Sequence, residues 1–204
     1  MSHLKFPKFE DIVSSTNTFV IMTNLTVNTD ELYEKLPITE YVIVPTKRGR
    51  KKKVETINPN INIKPGSIIT IEKANKFRGV NLKCKEYVEG GKNFFRNSIT
   101  IVMVLENGKM INFKITKNGK FQMTGCKSIE HGSSCVMYIW DMIKNDPSTY
   151  SFREGDKLNY LIIPVMRNID FPLNFTVDRI KLDSYINNNL FLLRRCFMSS
   201  LPNP

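Results

Sequence analysis

The sequence predicts an α+β fold in which an antiparallel sheet is covered by helices on one face. Three observations carry that reading. A β-branched, apolar run at Ser98–Leu105 is followed, across two hairpin turns, by segments at Met110–Thr116 and Lys120–Thr124 in which apolar and polar residues alternate. The next segment, Ser128–Ile143, switches to the helical period with a single apolar stripe. Near each end of the chain, a strand-like run precedes a short capped helix. One stripe covers one face of a sheet, so the other face is left for solvent or a ligand.

Residues 1–17 read as a loosely ordered lead-in. Thr18–Val27 (TFVIMTNLTV) is rich in β-branched and apolar residues, hence a strand. Thr29 is the expected cap of a short helix with Asp30 and Glu31 in its first turn and Leu32 and Leu36 on one side, and Pro37 limits its length. A short apolar run, YVIVP, follows within Glu40–Pro45. Lys47, Arg48, Arg50, Lys51, Lys52 and Lys53 then place six cations in seven residues, a density that forces an exposed loop. Three readings of it stand: a phosphate-gripping loop, a nuclear-import address, or a solvated insertion. The irregular stretch NPNINIKPGS continues the loop, Ser67–Lys73 is a candidate strand, and Val88–Lys92 a turn.

The central block begins with Ser98–Leu105, a strand, and turns at Glu106–Lys109. Met110–Thr116 sets Ile111, Phe113 and Ile115 against Asn112, Lys114 and Thr116. After the Asn118-Gly119 turn, Lys120–Thr124 sets Phe121 and Met123 against Lys120, Gln122 and Thr124. Gly125 is expected to end the sheet and Ser128 to cap a helix whose stripe is Ile129, Val136, Ile139, Trp140 and Ile143. Strand alternation therefore puts Lys114, Thr116, Lys120, Gln122 and Thr124 on the face away from that helix. Two readings of this face stand: a solvated outer surface, and a binding surface.

Beyond the helix, Asp146-Pro147-Ser148 and Arg153–Asp156 bracket a linker-like segment, Lys157–Met166 reads as a strand, and Thr176 is the expected cap of a helix to about Ile186. Met22-Thr23-Asn24-Leu25 and Met166-Arg167-Asn168-Ile169, each followed by a capped helix, form a weak internal repeat.

The 204 residues suffice for a sizeable core, and 41% hydrophobic with 24% charged residues is ordinary for a globular chain. The net charge of +11 is not, and it favours polyanionic partners. No stretch approaches the ~20 apolar residues of a membrane span, and the N-terminus lacks the apolar core of a secretory signal. Cys84, Cys126, Cys135 and Cys196 form no CxxC pair and read as reduced thiols; with only His3 and His131 besides, no metal or other cofactor is expected. No paired carboxylates or nucleophile elbow appear, and no enzyme is expected.

The run NGKFQMTGCKS (118–128) resembles the strand–Gly–helix junction of the TATA-box-binding protein family, in the right strand–turn–strand–helix order; with its basic insertion the chain is most similar to the divergent versions carried by large DNA viruses. Gly119, Lys120, Thr124, Gly125, Lys127 and Ser128 match the motif. The resemblance implies a saddle of two repeats, each strand, short helix, four strands and long helix. The first half-saddle would be complete over 18–150 with the insertion at 46–92; 151–189 would begin a second, partial half; 190–204 would be a tail. It also implies a DNA-binding transcription-initiation factor that contacts the minor groove of double-stranded DNA with its concave sheet, beside other transcription factors or RNA polymerase subunits. The expected DNA-binding residues are Asn24, Lys114, Thr116, Lys120, Gln122, Thr124 and Asn168. Where the family has a wedge phenylalanine before the turn this chain has Thr116, so Phe94 or Phe95 is the candidate wedge; the plainer reading puts both in the core. The alternative is a protein–protein scaffold of a viral transcription complex that kept the fold and lost DNA kinking; a third reading is an enzyme's appendage. The expected location is intracellular: a host nucleus, a cytoplasmic viral factory, or the virion.

Overall fold

The computed structural model describes residues 12–43, 59–74, 76–82, 97–170 and 176–189. The basic run 47–53 and the candidate wedges Phe94 and Phe95 lie outside them, as does the expected turn at 88–92. The described chain forms β1 (Ser14–Thr23), β2 (Leu25–Val27), α1 (Thr29–Lys35), β3 (Ile68–Lys73), β4 (Lys76–Gly79), β5 (Ser98–Val104), β6 (Met110–Thr116), β7 (Lys120–Cys126), α2 (Ile129–Ile143), β8 (Tyr150–Phe152), β9 (Tyr160–Ile169) and α3 (Arg179–Asn189). A seven-stranded sheet runs β4-β3-β5-β6-β7-β1-β9, every pairing antiparallel, and β2 pairs with β8 in a second, two-stranded sheet. The class is α+β. The chain divides into two compact units, 1–169 and 170–204, and α3 is the described element of the second.

The alternation read at Met110–Thr116 and Lys120–Thr124 is what the sheet uses, and β1 and β5 bury their inward side chains with it. Phe19 and Ile21 of β1, Ile99, Ile101 and Met103 of β5, Ile111, Phe113 and Ile115 of β6, and Phe121 and Met123 of β7 are all buried. They form one core with Leu32 and Leu36 from the α1 segment and Cys135, Val136, Ile139 and Ile143 of α2. Each such side chain contributes about 1.5–3 kcal/mol on leaving water. Phe113 and Phe121, on neighbouring strands, stack with ring centres 6.0 Å apart. Both helices therefore belong to one face.

Local details correct the sequence reading. Asn28, rather than Thr29, caps α1: its carboxamide oxygen accepts from the N–H groups of Asp30 and Glu31. Thr29 is the first helical residue, and its buried hydroxyl has no partner among the described residues. Asp178, rather than Thr176, accepts from the first N–H groups of α3, at Ile180 and Lys181. In both cases a nearby amide or carboxylate outcompetes the threonine. Gly125 does not end β7. Two residues separate Met123 from Cys126, where one separates their partners Phe19 and Asn17; the extra residue makes a bulge that Gly125 absorbs at φ +75°.

In α2, Ser128 is the N-cap by position but makes no side-chain cap bond; its hydroxyl, near the Glu130 carboxyl, helps hold that acid below its ordinary range. Ile129 is 53% exposed instead of joining the apolar stripe. Trp140 is half-buried, and packs edge-on against Tyr150 and Phe152 of β8, at 5.0 and 5.8 Å. The segment read as linker-like is thus a strand with aromatic anchors. A cluster around Lys35, whose ammonium contacts Asp146 (2.8 Å), Glu31 (3.1 Å) and the Ser148 hydroxyl (2.6 Å), ties α1 to the turn before β8. The Lys35 hydrogen bond, joined by those from Ser148, holds Asp146 down to about 2.

Candidate functional site

The register across the sheet builds the uncovered face. Ile163 of β9, Val20 of β1, Gln122 of β7, Lys114 of β6, Thr100 of β5 and Glu72 of β3 stand side by side in one row, and Phe77 of β4 pairs with Glu72 at its end. The spacing of adjacent strands puts Ile163 and Lys114 about 14 Å apart. One row nearer the β6–β7 turn lie Leu161, Met22 and Lys120, then Thr116 and Ser98. One row the other way, Thr124 pairs with Asn112 and Val102 with Thr70. The face is therefore two-toned. An apolar strip on β1 and β9 includes Met22 (40% exposed), Leu161 (63%) and Met166 (51%). Beside it runs a band of ammonium, amide and hydroxyl groups, with the half-buried Glu72 carboxylate at its β3 end.

Lys114, Lys120, Gln122 and Thr124 share this face, as strand parity required; Gln122 and Thr124 are exposed and the two lysines are half-buried. Thr116 shares it as well, but its hydroxyl accepts from Lys120 N–H (3.3 Å) and donates to Lys120 C=O (3.4 Å), which closes the hairpin. Asn168 pairs with Thr16 across β1 and β9, and its amide donates to the Thr16 hydroxyl at 2.8 Å.

Asn24 is hydrogen-bonded within the chain. Its Nδ2 donates to the carbonyls of Glu154 and Lys157, both at 2.8 Å, and its Oδ1 accepts from Asn159 N–H at 2.9 Å. All these bonds hold the loop between β8 and β9, which Arg153 anchors further through the Thr23 carbonyl. Replacing it, Asn24→Ala, should cost about 1–3 kcal/mol in stability and speed hydrogen exchange at Asn159, because three backbone groups lose their partner. Unchanged exchange there would show that the loop is held by other bonds.

The sequence reading missed Val20, Met22, Leu161, Ile163, Met166 and Phe77. Within KLNYLIIPVM (157–166) the apolar run is continuous, so no alternation marks which residues face out; the register with β1 decides it. At the junction of β7 and α2, Lys127 N–H donates to His131 Nδ1 at 3.2 Å, and burial lowers the imidazole's pKa. The neighbouring Cys126 and Cys135 are buried, and desolvation pushes Cys126 up to about 11 and Cys135 higher still. Among the described residues no group of His, Cys, Asp or Glu is placed to hold a metal, and no helix is long and apolar enough to cross a membrane.

Among known proteins, the chain is 30% identical over 158 residues to a TATA-box-binding protein-like protein of Acanthamoeba polyphaga mimivirus, an alignment covering 69% of this chain. It is 31% identical over 126 residues, 61% of the chain, to the uncharacterized protein 335L of Invertebrate iridescent virus 6. The chain spans 42% and 35% of the length of these two viral relatives. No family model matches. No solved structure matches either. The similarity to the mimivirus protein supports, at a distant level, the family that the motif around Gly119–Ser128 resembles.

Proposed function

We propose that this is a non-enzymatic, duplex-DNA-binding transcription factor of the TATA-box-binding type, which lays its uncovered sheet face into the minor groove. The observation that carries the reading is the two-toned face. Minor-groove floors at A·T pairs offer acceptors and no bulky group, and they suit amide, hydroxyl and small apolar surface; flanking phosphates suit ammonium groups. Gln122, Thr124 and Asn112 supply the first kind, Val20, Met22 and Ile163 the second, and Lys114 and Lys120 the third. The element order also supports it. β1, α1, then β3, β5, β6 and β7, then α2 follow the order of one half-saddle, and β9 with α3 begins the second. The printed name of the mimivirus relative points the same way, as does the +11 charge. Neighbouring transcription factors or polymerase subunits are the partners this reading implies.

In this reading Gln122 and Thr124 touch base edges, and Phe77, 43% exposed at the outer end of the Gln122 row, is the described aromatic positioned at the rim. Fluorescence anisotropy with A·T-rich and G·C-rich duplexes is the test. The wild type should prefer the A·T-rich duplex, and Gln122→Ala with Thr124→Ala should lower that preference by ~1–3 kcal/mol for each base edge no longer read. Both side chains are exposed, so thermal unfolding should barely change. A wild type without A·T preference, or a double variant that binds like wild type, would move the face to protein docking, the reading that the exposed apolar residues of β9 favour.

A further inference from the structure

At the end of the uncovered face, where the β6–β7 turn meets the start of β5, Asn97, Ser98, Thr116, Lys117 and Asn118 line an open cleft of about 250 Å³. Every lining residue carries a polar side chain; the Thr116 hydroxyl proton is engaged by Lys120 C=O, and the other four offer amide, hydroxyl and ammonium donors with no carboxylate. The turn beneath is fixed from three sides. Lys117 N–H donates to Asn97 C=O (3.0 Å), Lys117 C=O accepts from Val27 N–H (2.8 Å), and Gly119 C=O accepts from the Thr23 hydroxyl (2.7 Å). The backbone that carries these side chains is therefore held in place before anything binds, which removes part of the ordering cost of a ligand. Asp30 lies within charge range of Lys117, but its carboxylate is already paired with Lys73.

We infer that this cleft is a phosphate site, and that in the bound state it grips one backbone phosphate of the nucleic acid whose groove lies over the Gln122 row. This rests on the DNA-binding reading above. Ser98 and Thr116 pair with each other two residues along from Thr100 and Lys114, so they lie ~7 Å from that row along the strands. The minor groove is ~6 Å wide, and a strand of phosphates bordering a groove centred on Gln122 passes over this end of the sheet. The site carries no base-reading role; it sets position.

Two variants test it. Asn118→Asp keeps the turn, since Asp-Gly serves the same hairpin geometry as Asn-Gly, and Lys117→Gln removes the charge without adding one. Duplex binding is measured by anisotropy between 50 and 200 mM salt. Each variant should weaken A·T-rich and G·C-rich duplexes alike. Lys117→Gln should flatten log K against log salt by ~0.9, so that the fourfold rise in salt costs it about 3- to 4-fold less affinity than wild type. A second arm titrates the wild-type protein with inorganic phosphate and follows backbone amide resonances. Shifts confined to Asn97, Ser98, Lys117 and Asn118 are expected. Phosphate shifts without duplex binding would keep the site and reject the DNA reading. Duplex binding with an unchanged slope, or no shifts with phosphate, would overturn the inference while leaving that reading intact.

Discussion

Gly119→Ala should destabilise the protein by roughly 3–5 kcal/mol and disturb the uncovered face with it. Gly119 sits at φ +63° in the β6–β7 turn, a conformation that already costs an alanine about 1 kcal/mol. The larger share comes from crowding: a Cβ there would lie 2.2 Å from the Leu25 carbonyl oxygen and 2.5 Å from the Thr23 hydroxyl. Neither can retreat freely. Leu25 pairs with Phe152 in the second sheet, and the buried Thr23 hydroxyl donates to the Gly119 carbonyl. The turn must then move, and it carries Thr116 and Lys120 on its two arms. Gly108 supplies the control, because its φ is +70° but nothing lies within 4 Å of an added Cβ. Gly108→Ala should therefore show the conformational cost alone. Urea unfolding midpoints decide the matter: equal shifts for the two variants would mean that close packing at the turn adds nothing.

Charge reversal on the sheet is expected to have the largest effect on binding. Lys114→Glu with Lys120→Glu should weaken every duplex by roughly 10-fold or more at 0.15 M salt, because two phosphate-directed cations are removed and two repulsive charges added. The salt slope should fall by ~0.9 for each phosphate left without its cation, with little change in the ratio of A·T-rich to G·C-rich affinities. That ratio separates these lysines from Gln122 and Thr124, whose replacement should alter it. Neutralising the Lys47–Lys53 run to Ser or Gln in parallel shows whether the run grips phosphates too. An unchanged slope there would return it to nuclear import or to a solvated loop. Reversal at Lys114 and Lys120 that left affinity unchanged would remove the uncovered face from DNA binding altogether.

The sequence by itself determined the sheet where alternation was clean. Met110–Thr116 and Lys120–Thr124 each have one apolar and one polar side, so covering either side with a helix names the other. That sufficed to place Lys114, Thr116, Lys120, Gln122 and Thr124 together. Only the tertiary structure decided the rest. In Tyr160–Ile169 apolar residues occupy both sides, and parity is silent until the register with β1 assigns Leu161 and Ile163 to the face. Asn24 has the chemistry of a groove reader, yet its bonds go to carbonyls and an N–H of residues 154–159, which are distant in sequence. The helix caps at Asn28 and Asp178 were contests between nearby residues of similar propensity, and backbone geometry settles such contests. The strand at Tyr150–Phe152 is too short to show a period; it is fixed by β2 on one side and by Trp140 against its aromatic rings on the other. Periodicity reports which side of an element is buried, whereas register and long-range hydrogen bonds report what lies beside it, and the candidate site depends on both.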